Sequence, residues 1–478
     1  MVEFKINNYL EHINNNGWRN KFHFDSPKGL INDPNGLSYF NGEYYIFFQW
    51  NPYSCKHENK NWGLTRTRDF INFSKPKIIL KPNDYYDKNG CYSGCAISNN
   101  GELEIFYTGN VKDSFGERKS YQCRAILNKD NNLKKIGPVI DKKEDGYTEH
   151  FRDPYIFERD DEYYMILGIQ TINKKGRCVI YKSHNLESWS FLGELKTKFV
   201  EFGFMWECPS LISIGDNDVF IFSPQGLEKE EFKYQNIYQS GYVIGKLDLD
   251  EISFDGDEFC ELDKGFDFYA PQVFKDDKGR NILIGWMGLP EEEYNHKSIE
   301  DGWVYSLTIP RELTIRENKL YQNPINEMKN YRGNKLYNIE NLNGNNFSFK
   351  IDENSYELDL QIKNNDSEKL YIKFMLDKDE YSYIEYNFKL GIVTLDKSKM
   401  DYTDCARRFK LDKPSVFRIN MFVDKSSVEI YFQDGQEVAS LKLYPKKENT
   451  NLAIESNGGD ILIEKLKIWN LKEMRYYE

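Results

Sequence analysis

The chain lacks a long apolar run, a basic arm, a paired-cysteine pattern and a sustained helical period. Each absence closes off a class of protein. No stretch reaches the ~18 consecutive apolar residues that span a bilayer. The opening Met1 to Asn20 is polar, with Glu3, Glu11 and Asn14-Asn15-Asn16, and no apolar core follows a basic start. A cytoplasmic protein without a membrane partner is therefore expected. No Lys/Arg run offsets the net charge of −12, which argues against nucleic acid or an anionic membrane surface as partner. None of the eight cysteines forms a Cys-x-x-Cys pair. The closest two, Cys91 and Cys95, would share a strand face too far apart to bridge, so reduced, packing cysteines are expected. His12, His23, His57, His150, His184 and His296 show no His-x-His or His-Glu-x-x-His spacing. There is also no Gly-x-Ser-x-Gly elbow and no phosphate-cradling loop, so neither metal nor cofactor is expected.

What is present favours sheet. Aromatics make up 15% of the 478 residues, with 34 Tyr and 32 Phe. Strand-like runs follow turn residues at Gly42-Glu43, Gly101-Glu102, Asp161-Glu162, Asn217-Asp218 and Gly279-Arg280. Their second residues lie 59, 60, 56 and 62 residues apart. Each run follows a shorter segment with its own start, at Asp33-Pro34, Ser93-Gly94, Asp153-Pro154, Glu207-Cys208-Pro209 or Tyr269-Ala270-Pro271. A repeat of about 60 residues built from short strands suits a propeller blade. The expected fold is all-β: a five-bladed β-propeller, then a C-terminal β-sandwich. The expected division is a propeller over 1–324 with a short N-terminal extension, a linker over 325–334 holding one or two helical turns, and a sandwich over 335–478. Alternating segments such as Val428 to Phe432 carry the second assignment. The sandwich shows no cluster of catalytic residue types, and an oligomer through it is possible.

In a propeller the innermost strands line one axis, so the five starts would meet around one funnel. Asp33, in Gly29-Leu30-Ile31-Asn32-Asp33-Pro34-Asn35-Gly36-Leu37, is presented in extended backbone by the proline that follows it. Asp33, Asp153 and Glu207 read as carboxylates at equivalent places in different repeats. Two carboxyl groups are what cleavage of a glycosidic bond requires, and a third can hold hydroxyls. Glu207 has the apolar neighbours Trp206 and Pro209 that suit a general acid. Arg152 would keep Asp153 ionised while gripping hydroxyls. Trp50, Trp62, Tyr92, Trp206, Tyr269 and Trp286 cluster nearby and offer rings for a sugar face, with blade packing as the alternative.

The motifs from Phe22-His23-Phe24 through Asn32-Asp33-Pro34-Asn35-Gly36 resemble glycoside hydrolase family 32, the β-fructofuranosidases. So do Phe48-Gln49-Trp50-Asn51-Pro52, Tyr92-Ser93-Gly94, Phe151-Arg152-Asp153-Pro154 and Trp206-Glu207-Cys208-Pro209. Further matches are Phe268-Tyr269-Ala270-Pro271-Gln272, Ile309-Pro310-Arg311-Glu312-Leu313 and Phe422-Val423-Asp424-Lys425-Ser426-Ser427-Val428-Glu429. The resemblance implies a retaining mechanism with Asp33 as nucleophile, Glu207 as acid/base and Asp153 supporting the transition state. It further implies a sugar pocket lined by Asn32, Gln49, Trp62, Tyr92, Ser93, Arg152 and Tyr269. The chain departs from the family pattern in His57-Glu58-Asn59-Lys60-Asn61-Trp62-Gly63-Leu64, where Asn61 and Leu64 replace two histidines, and at Cys95. Lys56, His57 and Lys60 read as a solvated loop, with contact to a substrate phosphate as the alternative. The expected activity is hydrolysis of sucrose 6-phosphate or sucrose. The rivals are a fructan exo-hydrolase or fructosyltransferase and, in another class, a non-catalytic carbohydrate-binding propeller.

Overall fold

The computed structural model describes residues 17–291, 296–400 and 402–477. Most of the N-terminal extension, including His12, lies outside the described residues. Within them every regular element is a strand except four 3-10 turns: Lys297–Ile299, Asn326–Tyr331, Ser398–Met400 and Gln433–Gly435. The all-β expectation therefore holds, and the helical turn anticipated after residue 325 is Asn326–Tyr331.

Five sheets arise between residues 29 and 324. Their opening strands are Gly29–Phe40, Cys91–Asn99, Tyr147–Arg159, Met205–Ile214 and Tyr269–Lys275. In the first three sheets the opening strand turns back through Asn41-Gly42, Asn100-Gly101 or Asp160-Asp161. Both residues of each pair have positive φ, between 48° and 78°, as a two-residue hairpin of the strand-matching hand requires. The opening strands neighbour one another in chain order, and the fifth lies beside the first. Second strands such as Glu43–Asn51 and Asn281–Met287 are buried along their whole length. They are covered on both faces because adjacent sheets stack. Phe47 and Trp62 of the first sheet share a cluster with Ile105 and Tyr107 of the second. Ile166 and Cys178 of the third pack with Phe220 and Phe222 of the fourth. This curled array fits a propeller. Two distant segments join the first sheet in parallel: Trp303–Val304 beside Gly29-Leu30, and Arg475–Tyr477 beside Asn72–Ser74.

The remaining chain forms two six-stranded sheets that share one core. Leu358, Leu360 and Ile362 of one meet Leu370, Ile372 and Phe374 of the other. Burial alternates along Glu380–Asn387, as one-sided packing dictates.

Between these sheets and the N-terminal body runs a buried charged seam. Asp424 accepts the backbone N–H groups of Lys21, Phe22 and His23. The His23 ring lies 3.0 Å from Asp424 and 3.2 Å from Glu429. Arg311 donates to Glu429 Oε2 at 2.6 Å, Asp263 Oδ2 at 3.1 Å and Ser440 Oγ at 2.8 Å. Three of the sequence motifs, around His23, Arg311 and Asp424 to Glu429, therefore fasten the two parts of the molecule together.

Candidate active site

Each opening strand carries a β-bulge, where two residues face one on the next strand. The pairs are Asn32-Asp33 opposite Gln49, Tyr92-Ser93 opposite Thr108, Asp153-Pro154 opposite Leu167, Cys208-Pro209 opposite Phe222 and Ala270-Pro271 opposite Gly285. A bulge takes residues out of the ladder and re-aims their side chains. Proline is tolerated there because it has no N–H to lose. Asp153, Cys208 and Ala270 have φ of 63°, 47° and 46°. The three acids do not occupy equivalent rungs, contrary to the expectation. Asp33 is the second bulge residue of its strand, Asp153 the first of its own, and Glu207 the paired residue just before a bulge. Glu207 stands one residue farther from its proline than Asp153 does, and Asp33 differs by a one-residue slip of its bulge. Pro154 and Pro209 lie inside their bulges, whereas Pro34 is the first paired residue after its own.

Side chains from different sheets nevertheless converge. Asp33, Ser93, Asp153, Cys208 and Tyr269 are joined by direct contacts or by shared partners, with Glu207 completing the group. A small cavity lined by Pro34, Asn35, Ser93, Asp153, Cys208 and Gln272 lies along their strands. Farther along, all five opening strands line a cavity of about 450 Å³ through Leu37, Ile97, Phe157, Leu211 and Val273.

Around Asp33 the hydrogen bonds form a directed chain. Lys60 Nζ donates to Asn32 Oδ1 at 2.5 Å. Asn32 Nδ2 donates to Asp33 Oδ1 at 3.0 Å and to Gln49 Oε1 at 2.7 Å. Gln49 Nε2 donates to Ser93 Oγ at 2.8 Å, and Ser93 Oγ to Asp33 Oδ2 at 2.5 Å. Burial pushes the Asp33 pKa up. Ser93, Lys60 and Asn32 oppose the shift, and the charge of Glu207 adds to it.

Glu207 is held from three sides. Arg152 Nη2 and Nε donate to its Oε1 at 2.6 and 3.1 Å, while Tyr269 Oη and Gln225 Nε2 donate to Oε2 at 2.7 and 2.8 Å. Arg152 pairs with Asp153 as expected, its Nε 3.9 Å from Asp153 Oδ2, but its closer hydrogen bonds go to Glu207. The guanidinium reaches across to the next sheet. Its Nη1 lies 2.7 Å from His150 Nδ1. Asp153 Oδ2 instead accepts the backbone N–H of Cys208 at 3.0 Å, and Cys208 Sγ sits 3.8 Å from it and 3.9 Å from Asp33 Oδ2. Burial pushes the Asp153 carboxyl up, Glu207 and Asp33 add to the shift, and Arg152 and the Cys208 N–H oppose it.

Most of the tryptophans are walls, not open platforms. Trp62, Trp206 and Trp286 are fully buried. Trp62 Nε1 donates to the Tyr92 carbonyl, Trp206 Nε1 to the Phe202 carbonyl and Trp50 Nε1 to the Lys28 carbonyl. Trp62 thus supports Tyr92 from below. Tyr92 is half-buried, with the Arg118 guanidinium 5.7 Å from its ring centre. The solvated-loop reading of residues 56–60 fails at Lys60, which is buried; Lys56 is exposed. Sequence reasoning missed Gln225 and Thr108, and it placed Lys60 in a solvated loop or against a phosphate, not behind Asn32. The Thr108 Oγ1 accepts the N–H of Asp153 at 3.0 Å. The repeat did hold a signal for Thr108, since it faces its bulge as Gln49 faces the first. Among the described residues no group of three or more His, Cys, Asp or Glu is placed to hold a metal ion.

Comparison with known proteins gives a consistent set of matches. The model described as the glycosyl hydrolases family 32 N-terminal domain matches residues 23–324, and that for the family 32 C terminal matches residues 326–470. The sucrose-6-phosphate hydrolase of Bacillus subtilis is 40% identical over 469 residues, covering 96% of this chain and 95% of that protein. The structure of sucrose-6-phosphate hydrolase from Lactobacillus gasseri superposes with a TM-score of 0.90 at 30% identity, covering 98% of this chain and 96% of that one. A family 32 beta-fructofuranosidase of Bombyx mori superposes with a TM-score of 0.85 at 28% identity over all of both chains.

Proposed function

The chain belongs to glycosyl hydrolases family 32, and from that premise we propose a β-fructofuranosidase that releases terminal β-D-fructofuranosyl residues from sucrose 6-phosphate or sucrose by double displacement. Asp33 attacks the anomeric carbon as Glu207 gives its proton to the departing glycosidic oxygen. The resulting fructosyl ester is then cleaved by a water that Glu207 deprotonates, which restores both groups. Asp153 holds fructose hydroxyls and offsets the positive charge of the oxocarbenium-like state. Retention needs the two carboxyl groups about 5–5.5 Å apart. The architecture proposed with this mechanism is a five-bladed propeller over 1–324, a linker over 325–334 and a sandwich over 335–478.

The observation that carries the reading is the contrast between the two acids. Both oxygens of Asp33 are engaged by neutral donors, Asn32 and Ser93, which suits an anionic nucleophile. Glu207 is held by Arg152, Tyr269 and Gln225, which fix the position of its carboxyl group and favour the carboxylate that acts as base toward water in the second step. Sucrose 6-phosphate ranks first among substrates because several relatives are sucrose-6-phosphate hydrolases.

The test compares kcat/KM of purified protein for sucrose and sucrose 6-phosphate, with Asp33→Asn as control. The variant is expected to lose roughly a thousandfold or more, and retention of more than about one per cent of activity would remove Asp33 from the nucleophile's role. Trisaccharides at high sucrose would mark a transferase instead.

A further inference from the structure

Lys60 is a buried cation with no carboxylate partner among the described residues. The residue is only 5% exposed. Its ammonium instead donates to Asn32 Oδ1 and lies 3.3 Å from His57 Nε2. An isolated charge in such a place is costly unless something needs it. The stretch that carries it is also where this chain departs from the motif pattern of its family.

An ammonium can only donate, so the atom of Asn32 that faces it must be the carbonyl oxygen. That choice turns Asn32 Nδ2 toward Asp33 Oδ1 and Gln49 Oε1. Gln49 must then present Nε2 to Ser93, and the single Ser93 hydrogen is left for Asp33 Oδ2. One cation therefore fixes the sense of the Asn32 and Ser93 bonds to the two oxygens of Asp33. We propose that Lys60 is a positioning residue for Asp33, orienting it through Asn32 and supplying its compensating positive charge. This rests on the reading of Asp33 as nucleophile.

Each charge favours the other against the effect of burial. Burial lowers the Lys60 pKa to about 7, and the charge of Asp33 opposes that shift. Lys60 in turn lowers the pKa of Asp33. The charged and titratable groups around the pair are His57 on its own loop, Arg152 and Asp153 from the third sheet, Glu207 and Cys208 from the fourth, and Tyr269 from the fifth.

The experiment uses Lys60→Met and Lys60→Arg in the full chain, with thermal melts as the folding control. In Lys60→Met, kcat/KM is expected to fall about 100-fold, mainly in kcat. The acid limb of its pH profile is expected to rise by about one unit, since the cation that favours ionised Asp33 is gone. Lys60→Arg keeps the charge and should hold the acid limb near the wild-type position; it also serves if the Met variant does not fold. A difference-infrared titration of the Asp33 carboxyl, assigned by its loss in Asp33→Asn, reads the same shift without substrate. This separates the proposal from the assigned reaction, because it reports even if no fructoside is cleaved. An unchanged Asp33 titration in Lys60→Met overturns the proposal. So does a rise in KM confined to phosphorylated substrate with an unmoved acid limb, which would make Lys60 a phosphate contact.

Discussion

Tyr269 sits against the trigger of the proposed reaction, its hydroxyl hydrogen bonded to Glu207 Oε2 at 2.7 Å. A hydrogen bond to a charged group contributes about 1.5–3 kcal/mol. Tyr269→Phe should therefore lower kcat/KM by roughly ten- to a hundredfold, as steady-state kinetics would show, without unfolding the protein. The pH profile carries a second expectation at this scale. Attack requires ionised Asp33, and burial raises its pKa above the ordinary value. The acid limb of kcat/KM should thus lie above the ~3.9 of a free aspartate. The site residues as types were legible in the chain, because carboxylates, a serine and an arginine beside prolines are rare enough to mark. Their partners were not. Arg152 serves Glu207, 55 positions away, and no local spacing encodes which of two nearby acids a long side chain will reach.

At the scale of the element, the repeated bulge is the device that turns a strand into a site. A regular strand would alternate its side chains between two faces, and Asn32 and Asp33 would then point apart. In the second sheet the bulge ends on Gly94, where a Cβ would lie 1.9 Å from the Phe106 carbonyl oxygen. Gly94→Ala should therefore force the opening strand away from its neighbour and move Ser93 off Asp33. A loss of roughly 1–3 kcal/mol or more, read as a lower melting temperature, should accompany a drop in kcat. The sequence marked the bulge region of four of the five opening strands, through Pro34, Pro154, Pro209 and Pro271. It did not show that the bulge slips by one residue in the first sheet, because the slip depends on pairing with a strand the motif does not contain.

For the whole molecule, the seam of His23, Arg311, Asp263, Asp424 and Glu429 fastens the C-terminal sheets to the body that holds the site. Arg311→Met would leave Glu429 and Asp263 buried without their main cation. It should cost about 3–5 kcal/mol and lower the melting temperature measurably. Stability should also depend on pH at both ends. Burial favours neutral Glu429, but Arg311 and His23 outweigh it and hold the pKa at about 2, below its ordinary 4.5. That stabilisation is present above pH ~4.5 and lost as pH falls toward 2. Burial likewise disfavours charged His23, but its bonds to Asp424 and Glu429 raise the pKa overall. Its contribution is complete below pH ~6.5 and is lost as pH rises through the folded-state value. Melting temperatures from acid to alkaline pH should thus form a dome, and His23→Gln should flatten its alkaline side.

The amino-acid sequence alone determined the strands, their 60-residue recurrence, the change of pattern after residue 324 and the acids able to do the chemistry. These follow from side-chain periodicity and turn preference, which are local. Only the tertiary structure decided the phase of each bulge, the burial of the tryptophans, the inward turn of Lys60 and the role of the His23 and Arg311 motifs in the seam. Each of those rests on contacts between segments tens to hundreds of residues apart, where packing and hydrogen-bond direction, not spacing along the chain, select the partner.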